Sequence, residues 1–134
     1  DPDGPARGLT VNAFSALSLE PPLVLICVAH TSESHEAIRT GGAFAVNVLG
    51  ADQERIARRF SSKMSAAKFD GLACREAVTG SPILEDAIAW IDCRLREALD
   101  GGDHTIFVGE VVAADATDGA PLAFFRGGYG RFQP

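Results

Sequence analysis

The sequence predicts a mainly β domain whose short strands close, fully or in part, into an antiparallel barrel with short helices at its periphery. Three observations lead there. Short apolar runs recur between turn-forming Gly, Pro and Asp residues, only two segments carry helix-start signals, and many short strands expose edges that barrel closure removes.

The chain opens on a turn-rich stretch, Asp1 to Gly8, which feeds the alternating run Leu9 to Phe14, a first expected strand. Ser15 to Pro22 breaks the pattern. Leu23 to Ala29 is continuously apolar, rich in branched residues and bounded by Pro-Pro, so it reads as a strand buried on both faces. Ser34 suits the N-cap of a short helix from His35 to about Arg39, which Gly41-Gly42 stops. Phe44 to Leu49 is the next strand. Asp52 suits the cap of a second helix through Phe60, with Ile56 and Phe60 on one face and Arg55, Arg58 and Arg59 facing solvent.

Ile88 to Leu99 satisfies both helical spacing and strand alternation, so periodicity leaves it open. Thr105 to Ala113 and Leu122 to Arg126 are the last strands, giving about six strands and two helices. No repeat or low-complexity segment interrupts them.

The 134 residues are expected to form one domain, and 46% hydrophobic against 22% charged residues is globular composition. A formal charge of −6 without a basic cluster argues against a nucleic-acid partner. Leu23 to Ala29, the longest apolar stretch, is too short for a bilayer, and no basic segment precedes an apolar run at the start. A cytoplasmic protein without a membrane partner is the expectation. Cys27, Cys74 and Cys93 are few and scattered, so buried free thiols are expected rather than disulfides or a redox pair. His30, His35 and His104 do not have the spacing of a metal site, and no metal is assigned.

Neither a GxGxxG nor a GxxxxGK[ST] loop occurs, so any nucleotide is held differently. Hydroxyls concentrate in two places, Ser15/Ser18 and Thr31/Ser32/Ser34, and the second leads into a helix N-terminus that favours an anion. Asn47 interrupts an apolar strand, where its amide must bond either a ligand ring or the next loop. Asp103-His104 after Gly101-Gly102 reads first as a polar hairpin turn.

Three longer stretches then fit together: Gly8 to Pro22 (GLTVNAFSALSLEPP), Phe44 to Leu49 (FAVNVL) and Gly102 to Val111 (GDHTIFVGEV). With Gly80 to Leu84, Ala89 to Cys93 and Pro121 to Tyr129 following in order, the chain closely resembles the flavin reductase-like family from about Gly8 to Phe132. The resemblance implies a homodimeric split β-barrel that binds FMN or FAD, reduces it with NADH or NADPH, and serves as the reductase component of a two-component flavin monooxygenase. Ile88 to Leu99 would then be a strand.

By the same resemblance Asn12, Ala13, Phe14, Ser15 and Ser18 would line the isoalloxazine. Ala29, His30, Ser32 and Ser34 would approach the ribityl phosphate, with Asn47 beside them. His104 of the Gly-Asp-His motif would contact the nicotinamide nucleotide, with Tyr129 near the same cleft. No side chain is expected to act as an acid or base, because hydride passes directly between the two rings. A non-catalytic flavin carrier or sensor is the competing reading, and the Gly-Asp-His motif argues for the reductase. Family members usually carry a helix and a strand before the position of Gly8, so residues 1–134 are expected to be a single domain of this kind without them.

Overall fold

The computed structural model describes residues 4–63 and 67–134. Nine strands and two helices follow in the order β1 (Phe14–Leu19), β2 (Pro22–Ala29), α1 (Glu33–Gly41), β3 (Ala43–Val48), α2 (Glu54–Ser61), β4 (Cys74–Arg75), β5 (Ile83–Leu84), β6 (Ala89–Gly101), β7 (His104–Ala116), β8 (Leu122–Phe125) and β9 (Gly128–Arg131). Five of them form one antiparallel sheet in the order β1-β2-β7-β6-β3, and β4-β5 and β8-β9 are separate pairs. The mainly β expectation holds, with more strands than the six anticipated.

The ambiguous segment is strand β6, settled by its long pairing with β7. Bulges between Asp92 and Cys93 and between Leu95 and Glu97 break its register, and bulges bend strands. The sheet curls enough that Phe44 of β3 reaches past β6 to Gly109 of β7, where an added Cβ would lie 2.5 Å from the Phe44 ring. Val24, Ile26 and Val28 of β2, Ile38 of α1, Phe44, Cys93 and Phe107 make the core on this inner face.

Several boundaries differ from the sequence reading. The first strand is Phe14–Leu19, not Leu9 to Phe14, because the Pro-Pro turn pairs those later residues with β2. Residues before it cross the inner side instead, where Thr10 Oγ1 donates to the Ala57 carbonyl at 2.6 Å. Within this chain β2 is buried on one face only, since Leu23, Leu25, Cys27 and Ala29 alternate with the core residues and stay half-exposed. Ser32, not Ser34, caps α1, accepting from the Ser34 N–H at 3.2 Å. Gln53 and not Asp52 precedes α2, and its Oε1 turns back to accept from the Gly50 N–H at 2.8 Å. Arg126 leaves the expected last strand for the left-handed turn between β8 and β9, with φ of 53°. Only Cys93 is a fully buried thiol, its pKa pushed up to about 12 by burial and then by Asp92, while Cys27 is half-buried and Cys74 exposed.

Asp92 is fully buried and accepts from the Val78 and Thr79 N–H groups at 2.9 Å and from the Thr79 hydroxyl at 2.5 Å. These charge-assisted bonds pin the loop before β5 against the sheet.

Candidate functional site

Residues opposite one another in an antiparallel pair share a face. The β1-β2-β7 register therefore sets Ser15 and Leu25 in one outward row with Val108, which its neighbours bury, and Ser18 and Leu23 in the next with the exposed Glu110. Cys27 with Ile106, and Ala29 with His104, continue the same outer face toward the β2–α1 loop. The result is an apolar shelf edged by two hydroxyls on β1 and ended by an imidazole. From Leu23 to Ala29 it runs about 20 Å along the strand.

At the far end, the β2–α1 loop and the β6–β7 hairpin are joined. The His30 N–H donates to the Asp103 carbonyl at 2.9 Å, and Asp103 Oδ1 lies 2.7 Å from His104 Nδ1. That hydrogen bond, followed by the charge of His104, holds the Asp103 carboxyl below its usual range. Ser32, as N-cap, places its hydroxyl at the first turn of α1, and the helix N-terminus favours negative charge nearby. Glu33 and Glu36 in that turn act against an anion, and Arg7 offsets the first by pairing with Glu33 at 3.2 Å.

The structure thus brings Ser15, Ser18, Ala29, His30, Ser32 and His104 to the outer shelf and its loop end. Ala13 adjoins them, its carbonyl accepting from the Cys27 N–H at 3.0 Å. Asn12, Phe14, Ser34, Asn47 and Tyr129 are placed elsewhere, on an inner cavity of about 1090 Å³. Phe14 lies opposite Ile26 on the core face, and Ser34 is buried in the inward side of α1. Of the two readings of Asn47, the contacts made are those to the next loop: its amide donates to the Pro82 carbonyl at 3.2 Å and accepts from the Leu84 N–H at 2.9 Å. Tyr129 packs on Phe124 and under Arg58.

The inner cavity has a mainly apolar wall, and the polar atoms of Thr10, Asn47 and Thr79 on it are engaged in hydrogen bonds within the protein. The shelf differs. An apolar floor with hydroxyls on one edge fits a flat, polar-rimmed ring such as isoalloxazine, and a capped helix start near one end fits a phosphate tail. Sequence reasoning missed the apolar rows Leu25/Val108 and Cys27/Ile106, although the alternation of both strands carries them. It also gave no role to His35, whose Nε2 lies 2.6 Å from Thr105 Oγ1.

Among the described residues no helix is long and apolar enough to cross a membrane, and no group of His, Cys, Asp and Glu is arranged to hold a metal.

Comparison with known proteins is consistent across sequence and structure. The family described as flavin reductase like domain matches residues 1–133. The reductase subunit HsaB of a flavin-dependent monooxygenase from Rhodococcus jostii is 44% identical, over 98% of this chain and 68% of its own. The FMN reductase (NADH) SmoA of Agrobacterium fabrum is also 44% identical, over 98% of this chain and 74% of its own. Among solved structures, Streptomyces globisporus NADH:FAD oxidoreductase SgcE6 in complex with NAD and FAD fragments superposes with a TM-score of 0.90. It is 38% identical and the match covers 96% of this chain and 78% of that one.

Proposed function

The chain belongs to the flavin reductase-like family, and from that premise we propose that it is an NAD(P)H:flavin oxidoreductase, reducing FMN or FAD on the outer shelf with NADH or NADPH and supplying reduced flavin to a monooxygenase component. The observation that carries this reading is the β1-β2-β7 register, which aligns Ser15, Ser18, Ala29 and His104 on one face of the sheet. Relatives support the partner role, since HsaB is named as a monooxygenase subunit.

Bound flavin supplies the two-electron acceptor and the nicotinamide supplies the hydride. The protein's part is orientation and water exclusion. Ser15 and Ser18 would hold the polar edge of the ring, while Leu25 and Cys27 would give it an apolar floor. Ser32 and the first turn of α1 would hold the phosphate. His104, with Nδ1 engaged by Asp103, has Nε2 for the donor nucleotide. Holding both nucleotides in reacting geometry is the main catalytic contribution required, because no proton moves at the reacting atoms.

A second copy of the chain completes the site in this reading. Beyond the Leu25/Cys27 floor, Ile106 and Leu99 continue the outer face, and Leu99 is 42% exposed. An apolar sheet face of this kind suits an isologous contact, which would also shut water from the shelf. Light scattering with flavin present tests it, with a dimer mass expected and a monomer mass contradicting it. Steady-state oxidation of NADH and NADPH with FMN and FAD tests the activity and ranks the four pairs.

A further inference from the structure

One imidazole sits between His30, Thr105 and Phe107 at the loop end of the shelf. His35 lies in the first turn of α1, and its N–H donates to the Ser32 carbonyl at 3.1 Å. Its Nε2 lies 2.6 Å from the hydroxyl of Thr105, the buried residue that follows His104. Its ring stands edge-on to His30 with centroids 5.2 Å apart, and packs on the buried Phe107 at 5.3 Å. The backbone N–H of His30 in turn donates to the carbonyl of Asp103, the residue before His104. The β2–α1 loop and the Gly-Asp-His turn, joined by the His30–Asp103 backbone bond, are therefore tied a second time by the His35 side chain, seventy residues from Thr105 in sequence.

We propose that His35 is a positioning residue that holds the flavin-phosphate loop and the nicotinamide-donor turn in fixed register. The role rests on the functional reading above, since it presumes that His30 and Ser32 serve one nucleotide and His104 the other. Hydride transfer tolerates little misplacement between the two rings. A loop and a turn that each moved independently would bind their nucleotides without aligning them. The His35–Thr105 bond ties the first turn of α1 to the strand carrying His104, and the contact with Phe107 anchors that tie to the core. Neither His35 nor Thr105 touches a reacting atom in this account; both act through their neighbours.

The test uses three variants of the whole chain. His35→Phe keeps a ring against Phe107 and His30 but cannot bond Thr105. Thr105→Val removes the partner. His35→Gln keeps a polar group able to reach the hydroxyl. His35→Phe and Thr105→Val should each lower kcat at saturating flavin and donor roughly tenfold, the scale of one lost hydrogen bond, with KM for the nicotinamide donor changed much less. The double variant should be no worse than either single one, and His35→Gln should regain most of the loss. Unchanged kcat in His35→Phe overturns the proposal. So does a kcat loss that His35→Gln fails to reverse and that tracks a fall in melting temperature, which would make the residue merely structural. Absence of turnover in the unsubstituted protein would instead overturn the functional reading itself.

Discussion

The backbone N–H of His30 donates to the carbonyl of Asp103 across 2.9 Å, so that the loop after β2 and the turn before β7 meet at one end of the sheet. Ala29 and His104 are register partners directly beside this bond. The two sequence motifs of greatest functional interest thereby become neighbours, and several outcomes can be measured from that.

Replacing both Ser15 and Ser18 by Ala should weaken flavin binding roughly tenfold, on the scale of one or two lost hydrogen bonds. Ser34→Ala should leave affinity within about twofold, because Ser34 faces the buried side of α1. Titration of flavin fluorescence reads both. A larger effect from Ser34 than from the β1 pair would move the site to the inner cavity.

His104→Ala should raise KM for the nicotinamide donor while flavin affinity stays nearly constant. The Asp103–His104 contact is exposed, so stability should barely change. Steady-state kinetics with a parallel flavin titration separates the two nucleotides. Unaltered donor kinetics would return His104 to a turn residue and favour a flavin carrier.

Burial, followed by the nearby His30 and then Arg39, lowers the His35 pKa from 6.5, with Glu36 opposing. The unfolded chain then holds that proton more readily than the folded one. His35 contributes no pH slope well above 6.5, and stability falls as pH drops below 6.5 until the folded-state ring also protonates. His35→Gln should flatten that part of the melting-temperature profile. An unchanged slope would mean that other groups set it.

Gly109→Ala should destabilise the fold by about 1–3 kcal/mol through overpacking. The new Cβ would lie 2.7 Å from the Cys93 Cβ and 2.5 Å from the Phe44 ring, where the curled sheet brings β3 over β7. Urea unfolding measures the loss, and Gly109→Ala combined with Phe44→Leu should recover part of it.

The sequence carried the β character, both helices and the strand at Leu23 to Ala29, because local apolar patterning and caps determine them. It misplaced the first strand, since pairing of Phe14 with Ile26 outweighs the alternation of Leu9 to Phe14. Propensity alone carries no register. The same limit divides the candidate site. Ser15 and Ser18 share the outer face only because a bulge between Ala16 and Ser18 shifts their register, and Phe14 faces inward because it is the strand neighbour of Ser15. Asn47 signalled a buried amide that must be satisfied, and its actual partners, Pro82 and Leu84, lie in a segment whose pairing no local pattern announces. The link between His35 and Thr105 was invisible for the same reason.

The central claim is that this chain passes hydride from a nicotinamide nucleotide to flavin held on the outer face of β1, β2 and β7. Anaerobic mixing of the protein, flavin and excess NADH or NADPH, followed by the loss of the oxidised flavin's visible absorbance, tests it most directly. The account predicts rapid bleaching with at least one donor, slowed in the Ser15→Ala/Ser18→Ala variant at sub-saturating flavin and in His104→Ala at sub-saturating donor. Bleaching no faster than in protein-free solution with either donor, while flavin still binds, would contradict it.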